Sequence, residues 1–290
     1  MDLTGRTVFI TGSTAGVGAS AAARLAARGA RILLHGRDAA RGADVRERIV
    51  SAGGEAEFLA ADLASLAEVR ALASAVSERT ARLDALVLNA GLARAPREIT
   101  VDGYEKTFAV NHLSHFLLAH LLLDALRHAA SPGRAARLVV VASNGHRRAD
   151  LDLDRVVDPP GYGGWQAYAD SKLANVLFAR EAARRWAGDG VAVNAIHPGV
   201  LSTRIWDRNH RPVWLLARLA KVFMDPPEVG GQAVERLVAD PALEGVSGAY
   251  FDELERVEPG LPERPEALAR ELWERSLAWV GLDANAGARA

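Results

Sequence analysis

Seven short apolar runs punctuate the chain, and helical periodicity fills most of the space between them. The runs are Thr7–Ile10, Arg31–Leu34, Ala56–Ala60, Ala85–Leu88, Arg137–Ala142, Val191–Ile196 and Ala249–Phe251. They are unbroken rather than alternating, the pattern of parallel strands covered on both faces. The stretches Ala19–Arg28, Ala39–Ala52, Leu66–Thr80, Tyr104–His128, Gln166–Trp186 and Pro227–Ala239 are expected to be helices. In the first of them Ala22, Leu25 and Ala26 recur at three- and four-residue spacing and mark the packed stripe. Repeated β–α alternation with right-handed crossovers implies an α/β, doubly wound Rossmann fold with a seven-stranded parallel sheet. No repeat or linker interrupts it. Residues 1–284 are therefore expected to form a single domain, with 285–290 a disordered tail. Pro159-Pro160-Gly161 and Gly163-Gly164 mark a loop inside that domain.

Composition removes several function classes. With 290 residues, 49% apolar and 24% charged, the chain can build one sizeable core. Its formal net charge of -1 offers no basic field for nucleic acid. The absence of cysteine excludes disulfides, thiolate metal sites and a cysteine nucleophile. Met1 to Arg6 run straight into the first strand, so no secretory leader is expected. The longest apolar stretch, Phe116 to Leu126, is broken by His120 and Asp124, so no transmembrane segment is expected and the expected location is cytoplasmic.

Thr11-Gly12-Ser13-Thr14-Ala15-Gly16-Val17-Gly18 follows the first strand and opens the first helix. Glycines at this point suit a turn too tight for a β-carbon and let backbone approach a pyrophosphate, which the helix amides then face. A plain strand–helix turn is the alternative, and the position after the first strand of a βα repeat favours the dinucleotide. The second strand ends Leu34-His35-Gly36-Arg37-Asp38. Gly36 leaves empty the place where an acid would bind ribose hydroxyls, and Arg37 could pair with a 2′-phosphate. NADP is thus favoured over NAD, the alternative being a solvated Arg37 beside a helix cap at Asp38.

Tyr168 and Lys172 stand four apart in a helical segment and project from one face. A nearby ammonium stabilises phenolate, so Tyr168 is a candidate proton donor to a carbonyl oxygen receiving hydride. The plain alternative is a surface pair. Against it, only Lys106, Lys172 and Lys221 among 35 basic residues are lysine. A solvated face would serve as well with arginine, whereas a compact charge beside a phenol would not.

With these residues in view, the chain from Leu3 to about Gly281 resembles the short-chain dehydrogenase/reductase family. Thr11–Gly18 resembles its cofactor loop, with Gly12, Thr14, Gly16, Val17 and Gly18 among the cofactor contacts this implies. Asp62-Leu63 is similar to the segment placed beside adenine, and Asn89-Ala90-Gly91 to the motif after the fourth strand. Pro198-Gly199-Val200 and Thr203 resemble the loop against the nicotinamide carboxamide. The resemblance implies a catalytic set of Asn111, Ser143, Tyr168 and Lys172. In it Tyr168 would be the general acid or base, Lys172 would also hold the ribose, Ser143 would polarise the carbonyl, and Asn111 would support a water path. Asn111 could instead satisfy backbone groups, and Ser143 could be a loop cap.

Val110–Leu118, Ser143–His146, Tyr168–Asn175 and Gly248–Phe251 are more similar to the retinol-dehydrogenase-like branch. The resemblance implies a substrate lid at about 201–225. There Trp206, Trp214, Leu215, Leu219 and Phe223 could form a pocket wall or ordinary core. Arg211, Arg218 and Lys221 beside them could favour a membrane surface or an anionic substrate group. The expected partner is a small lipophilic ketone, aldehyde or alcohol, with a homodimer possible through the helices at Tyr104–His128 and Gln166–Trp186. His112, His115 and His146 lack metal-like partners, so no metal site is expected and structural roles are favoured. Reduction of a polarised C=C bond and dinucleotide binding without turnover are the competing readings.

Overall fold

Every expected strand forms, and an eighth joins them. The computed structural model describes residues 1–94, 96–199 and 226–283. Its strands are β1 (Thr7–Ile10), β2 (Arg31–Gly36), β3 (Glu55–Ala60), β4 (Ala85–Leu88), β5 (Ala136–Val141), β6 (Val191–His197), β7 (Tyr250–Asp252) and β8 (Glu255–Val257). They lie in one sheet of order β3-β2-β1-β4-β5-β6-β7-β8. β1 to β7 are parallel, and β8 folds back antiparallel on β7. Alternate residues of each strand go to opposite faces. Phe9, Leu33 and Leu86 enter one core, whereas Ile10, Ile32 and Val87 enter the other. Each such side chain contributes about 1.5–3 kcal/mol by leaving water.

On one face lie α1 (Gly16–Ala26), α2 (Ala39–Ser51) and, after the undescribed segment 200–225, α8 (Pro227–Ala239). α8 packs along α1, where Gly231 meets Ser20 so closely that a β-carbon would lie 2.2 Å from its Oγ. The buried Glu235 of α8 pairs with both Arg24 and Arg28 across that contact. The other face carries α3 (Leu66–Arg79), α4 (Lys106–Phe108), α5 (Ser114–Leu121), α6 (Leu123–Ala129) and α7 (Gly164–Arg185).

Two features depart from the expected pattern. The single helix expected over Tyr104–His128 is divided. A π-helical turn, Ala109–Leu113, joins α4 to α5, and α6 leaves at a 53° bend. In the widened turn Ser114 Oγ donates to the Val110 carbonyl at 2.7 Å, while His115 Nδ1 lies 3.1 Å from the Asn111 carbonyl. The second departure is α9 (Pro265–Val280), which crosses α5 and α7 and sets Trp273 against Phe116, His120, Phe178 and Trp186. α9 thus packs on α5 and α7, which belong to the two helical stretches expected as a possible subunit contact. Among the described residues no single helix is long and apolar enough to cross a membrane.

The chain reverses its direction of travel across the sheet between β1 and β4. Loops leaving the carboxyl ends of those two strands diverge and open a crevice.

Candidate active site

The crevice begins where β1 ends. Gly12 and Gly16 hold φ of 65° and 58°, a region that strains any residue with a β-carbon. A β-carbon on Gly12 would lie 2.7 Å from Ala90 Cα, and one on Gly18 would lie 2.5 Å from Asn89 Nδ2. Glycine therefore lets the loop after β1 press on the loop after β4. Hydrogen bonds then stitch the two. Thr11 Oγ1 accepts from the amides of Asn89 at 2.9 Å and Ala90 at 3.0 Å, and Asn89 Nδ2 donates to the carbonyls of Thr11 and Gly12. Ala15 supplies no side-chain cap to α1, and no acid stands in its first turn. The first residues of α1, Gly16 and Val17, line the cleft, an arrangement that fits a pyrophosphate.

At the end of β2, a β-carbon on Gly36 would come 2.5 Å from Thr14 Cγ2, so an acid there would have to push the Thr14 side chain aside. Arg37 stands half exposed on the rim, 3.6 Å from the Asp62 carboxylate. Asp38 caps α2 by accepting from Arg41 N at 3.1 Å. His35 lies beneath. Burial lowers its pKa to about 4, so the ring is neutral, with Nδ1 accepting from Gly12 N and Nε2 donating to the Ala61 carbonyl.

The far end of the cleft carries the reactive side chains. Tyr168 and Lys172 rise one turn apart from α7, and Ser143, two residues beyond β5, stands near enough to the Tyr168 hydroxyl to lower its pKa. Ser143 Oγ also accepts from Gly145 N at 3.2 Å and so caps the 3-10 turn Asn144–Arg148. Behind it Asn144 is held on both sides, donating to Asp252 and accepting from Tyr250. Lys172 Nζ lies 5.7 Å from the Tyr168 ring centroid and donates to the Val141 carbonyl at 2.9 Å. Burial lowers its pKa to about 8. Burial also raises that of Tyr168, with Ser143 acting in the opposite direction. Burial is the larger of these two effects on the phenol.

Asn111 sits in the π-helical turn and is fully buried. Its Oδ1 accepts from Leu92 N at 2.8 Å, and its Nδ2 donates to Leu92 O and Ser171 Oγ, each at 2.9 Å. Ser171 Oγ in turn donates to the Tyr168 carbonyl at 2.7 Å. Asn111 therefore holds backbone behind the cleft rather than facing it.

One cleft of about 1740 Å³ brings together Gly12, Thr14, Gly16, Val17, Arg37, Asp62, Leu63, Asn89, Ala90, Gly91, Ser143, Tyr168, Lys172, Pro198 and Gly199. Gly18 packs beneath it. Val200, Thr203 and the expected lid at 201–225 lie outside the described residues. The sequence reading missed Leu92, Arg94, Trp165 and His197 on the cleft wall. Trp165 precedes Tyr168 by three residues on α7, with ring centroids 6.0 Å apart, and that spacing is the signal that could have found it.

The short chain dehydrogenase family model matches residues 6–213. Retinol dehydrogenase 14 of Homo sapiens is 38% identical over 96% of this chain and 87% of its own length. Dehydrogenase/reductase SDR family member 13 of Bos taurus is 41% identical, covering 97% of this chain and 74% of the relative. Among solved structures, the NADP active-site complex of Pseudomonas aeruginosa RhlG has a TM-score of 0.70 and 31% identity, covering 87% of this chain and 95% of that one.

Proposed function

The chain belongs to the short-chain dehydrogenase family and is an oxidoreductase acting on CH–OH or C=O groups, and on that footing we propose that it is NADP(H)-dependent and uses Tyr168 as general acid and base on a small lipophilic carbonyl or alcohol. One observation carries this reading. Ser143, Tyr168 and Lys172 share one end of a cleft whose other end is a glycine loop under an uncapped helix.

The bound dinucleotide supplies or takes the hydride. In reduction the Tyr168 hydroxyl gives its proton to the substrate oxygen, and Ser143 Oγ–H hydrogen-bonds that same oxygen as charge gathers on it. Lys172 would hold the nicotinamide ribose, and the amides of α1 with Gly12 and Gly16 would hold the pyrophosphate. Arg37, beside an acid-free Gly36, favours a 2′-phosphate. RhlG, crystallised with NADP, is consistent with that choice. The apolar wall of Leu92, Val110 and Trp165 favours a lipophilic substrate.

The test follows NADPH and NADH absorbance with a panel of lipophilic ketones, aldehydes and quinones, for wild type and Tyr168→Phe. The expected result is NADPH oxidation by wild type, with carbonyl converted to alcohol, and loss of at least about a hundredfold in the variant. Equal turnover by Tyr168→Phe would overturn the assignment of the proton donor.

A further inference from the structure

The glycine loop and the Tyr168 turn lie at opposite ends of the cleft, yet one buried side chain lies between them. His115 is 1% exposed, on the first turn of α5 just past the π-helical turn. Its Nε2 lies 3.0 Å from Thr11 Oγ1 and its Nδ1 lies 3.1 Å from the Asn111 carbonyl.

Hydrogen-bond arithmetic fixes the direction of this bridge. The Asn111 carbonyl can only accept, so Nδ1 carries the ring proton. Burial keeps the ring neutral, with a pKa lowered to about 3, so Nε2 is bare and accepts. Thr11 Oγ1 spends both lone pairs on the amides of Asn89 and Ala90. Its single proton has two acceptors, the Val87 carbonyl at 3.4 Å and His115 Nε2 at 3.0 Å, and the shorter bond goes to the histidine. The polarity then runs one way: from the amides after β4 to Thr11, from Thr11 to His115, and from His115 to the Asn111 carbonyl. Asn111 continues it through Ser171 to the carbonyl of Tyr168.

The geometry points to His115 as a positioning residue that sets the cofactor loop in register with the proton donor, by holding Thr11 and the Asn111 backbone at a fixed separation. This role deepens the oxidoreductase reading given above and rests on it. His115 touches neither substrate nor cofactor. It acts through Thr11 on the loop that would hold the pyrophosphate.

The test measures NADPH binding by nicotinamide fluorescence, which stands apart from whether any substrate turns over. His115→Leu removes both bonds, His115→Gln keeps one donor and one acceptor, and His120→Leu is the matched control. His120 is likewise buried and bonds a carbonyl four residues back, that of Phe116, but it packs in the aromatic cluster away from the loop. The expected result is a Kd raised about tenfold in His115→Leu, within about threefold of wild type in His115→Gln, and unchanged in a thermally weakened His120→Leu. Wild-type affinity in His115→Leu overturns the proposal, as does equal loss in His120→Leu. Should His115→Leu not fold, nitrogen NMR of the wild-type ring decides: a neutral Nδ1–H tautomer whose shifts move on adding NADPH supports the bridge, and a ring unchanged by NADPH overturns it.

Discussion

Ser143 accepts from the Gly145 amide and also stands close to the Tyr168 hydroxyl, and only the second relation bears on proton transfer. That closeness lowers a phenol pKa that burial raises, so Ser143→Ala should lift that pKa further. Reduction needs the protonated phenol. In the variant the alkaline fall of kcat/KM should therefore move to higher pH, while the plateau drops about a hundredfold through loss of the substrate-oxygen donor. A plateau drop with no movement of that limb would confine Ser143 to the substrate. Arg37 permits a second test at this scale. Among the described residues, the ion pair of its guanidinium is a half-exposed 3.6 Å contact with Asp62. Arg37→Ser should raise the KM for NADPH by about tenfold or more and leave that for NADH nearly unchanged, as steady-state titration of both cofactors would read. These residues were legible in the sequence because each stands at the end of a strand, in an order that the chemistry of the cleft makes meaningful. His35 and His115 were not legible as loop supports. A lone histidine within an apolar strand or helix carries no period, and its partners at Gly12 and Thr11 are far away in sequence.

Between α4 and α5 the chain gives up regular helical geometry where Asn111 must turn its amide onto Leu92. Nothing in the apolar pattern of Val110–Leu118 signals a π-helical turn. It depends on whether side chains one turn later, here Ser114 and His115, reach the carbonyls of Val110 and Asn111. α9 was overlooked for a different reason. Leu268, Leu272 and Trp273, then Ser276, Leu277 and Val280, repeat at helical spacing, but reading by strand–helix alternation stops at the last strand. α9 packs on one side of α5 and α7, for which buried packing was as good an explanation of the apolar pattern as a second subunit. Trp273 is its anchor, 3% exposed, with ring centroids 5.1 Å from Phe116, 5.9 Å from Phe178 and 5.6 Å from Trp186. Arg185 lies over the same indole at 4.8 Å. Removing a tryptophan packed on all sides leaves a cavity that its neighbours close only in part. Trp273→Ala should thus lose about 3–5 kcal/mol in urea unfolding, with the glycine loop and Tyr168 untouched and NADPH affinity of the folded protein retained. A loss below about 1 kcal/mol would mean that α9 is peripheral to the core.

A sheet covered on both faces by helices leaves little room for water, and this chain has buried six of its eight histidines: His35, His112, His115, His120, His146 and His197. The layered architecture was legible from the unbroken apolar runs, and the crevice between β1 and β4 follows from it. The protonation consequence was not, because burial of a particular ring depends on packing from elements remote in sequence. Desolvation lowers His35 and His120 to about 4, and His112 and His115 to about 3, from an ordinary value of 6.5. The sign follows from proton counting. Between the folded and ordinary values the unfolded chain binds a proton that the folded chain does not, so stability is complete above about pH 6.5 and falls as pH drops through it. The paired carboxylates Glu57 and Glu181 are held below their ordinary range and add to the loss only at lower pH, whereas Asp170, raised by burial, opposes it. One unit below 6.5, each neutral buried imidazole removes about 1.4 kcal/mol if it acts alone. Urea unfolding at pH 7.5 and 5.5 should therefore differ by several kcal/mol, with the m-value nearly constant and a slope corresponding to uptake of more than two protons. Replacing His120 by leucine should flatten that slope by about one proton while removing the packing of its ring from the Trp273 cluster. Equal stability at the two pH values would mean that these rings are reached by water, and with it the fixed tautomer that lets His115 hold Thr11 and Asn111 together would be lost.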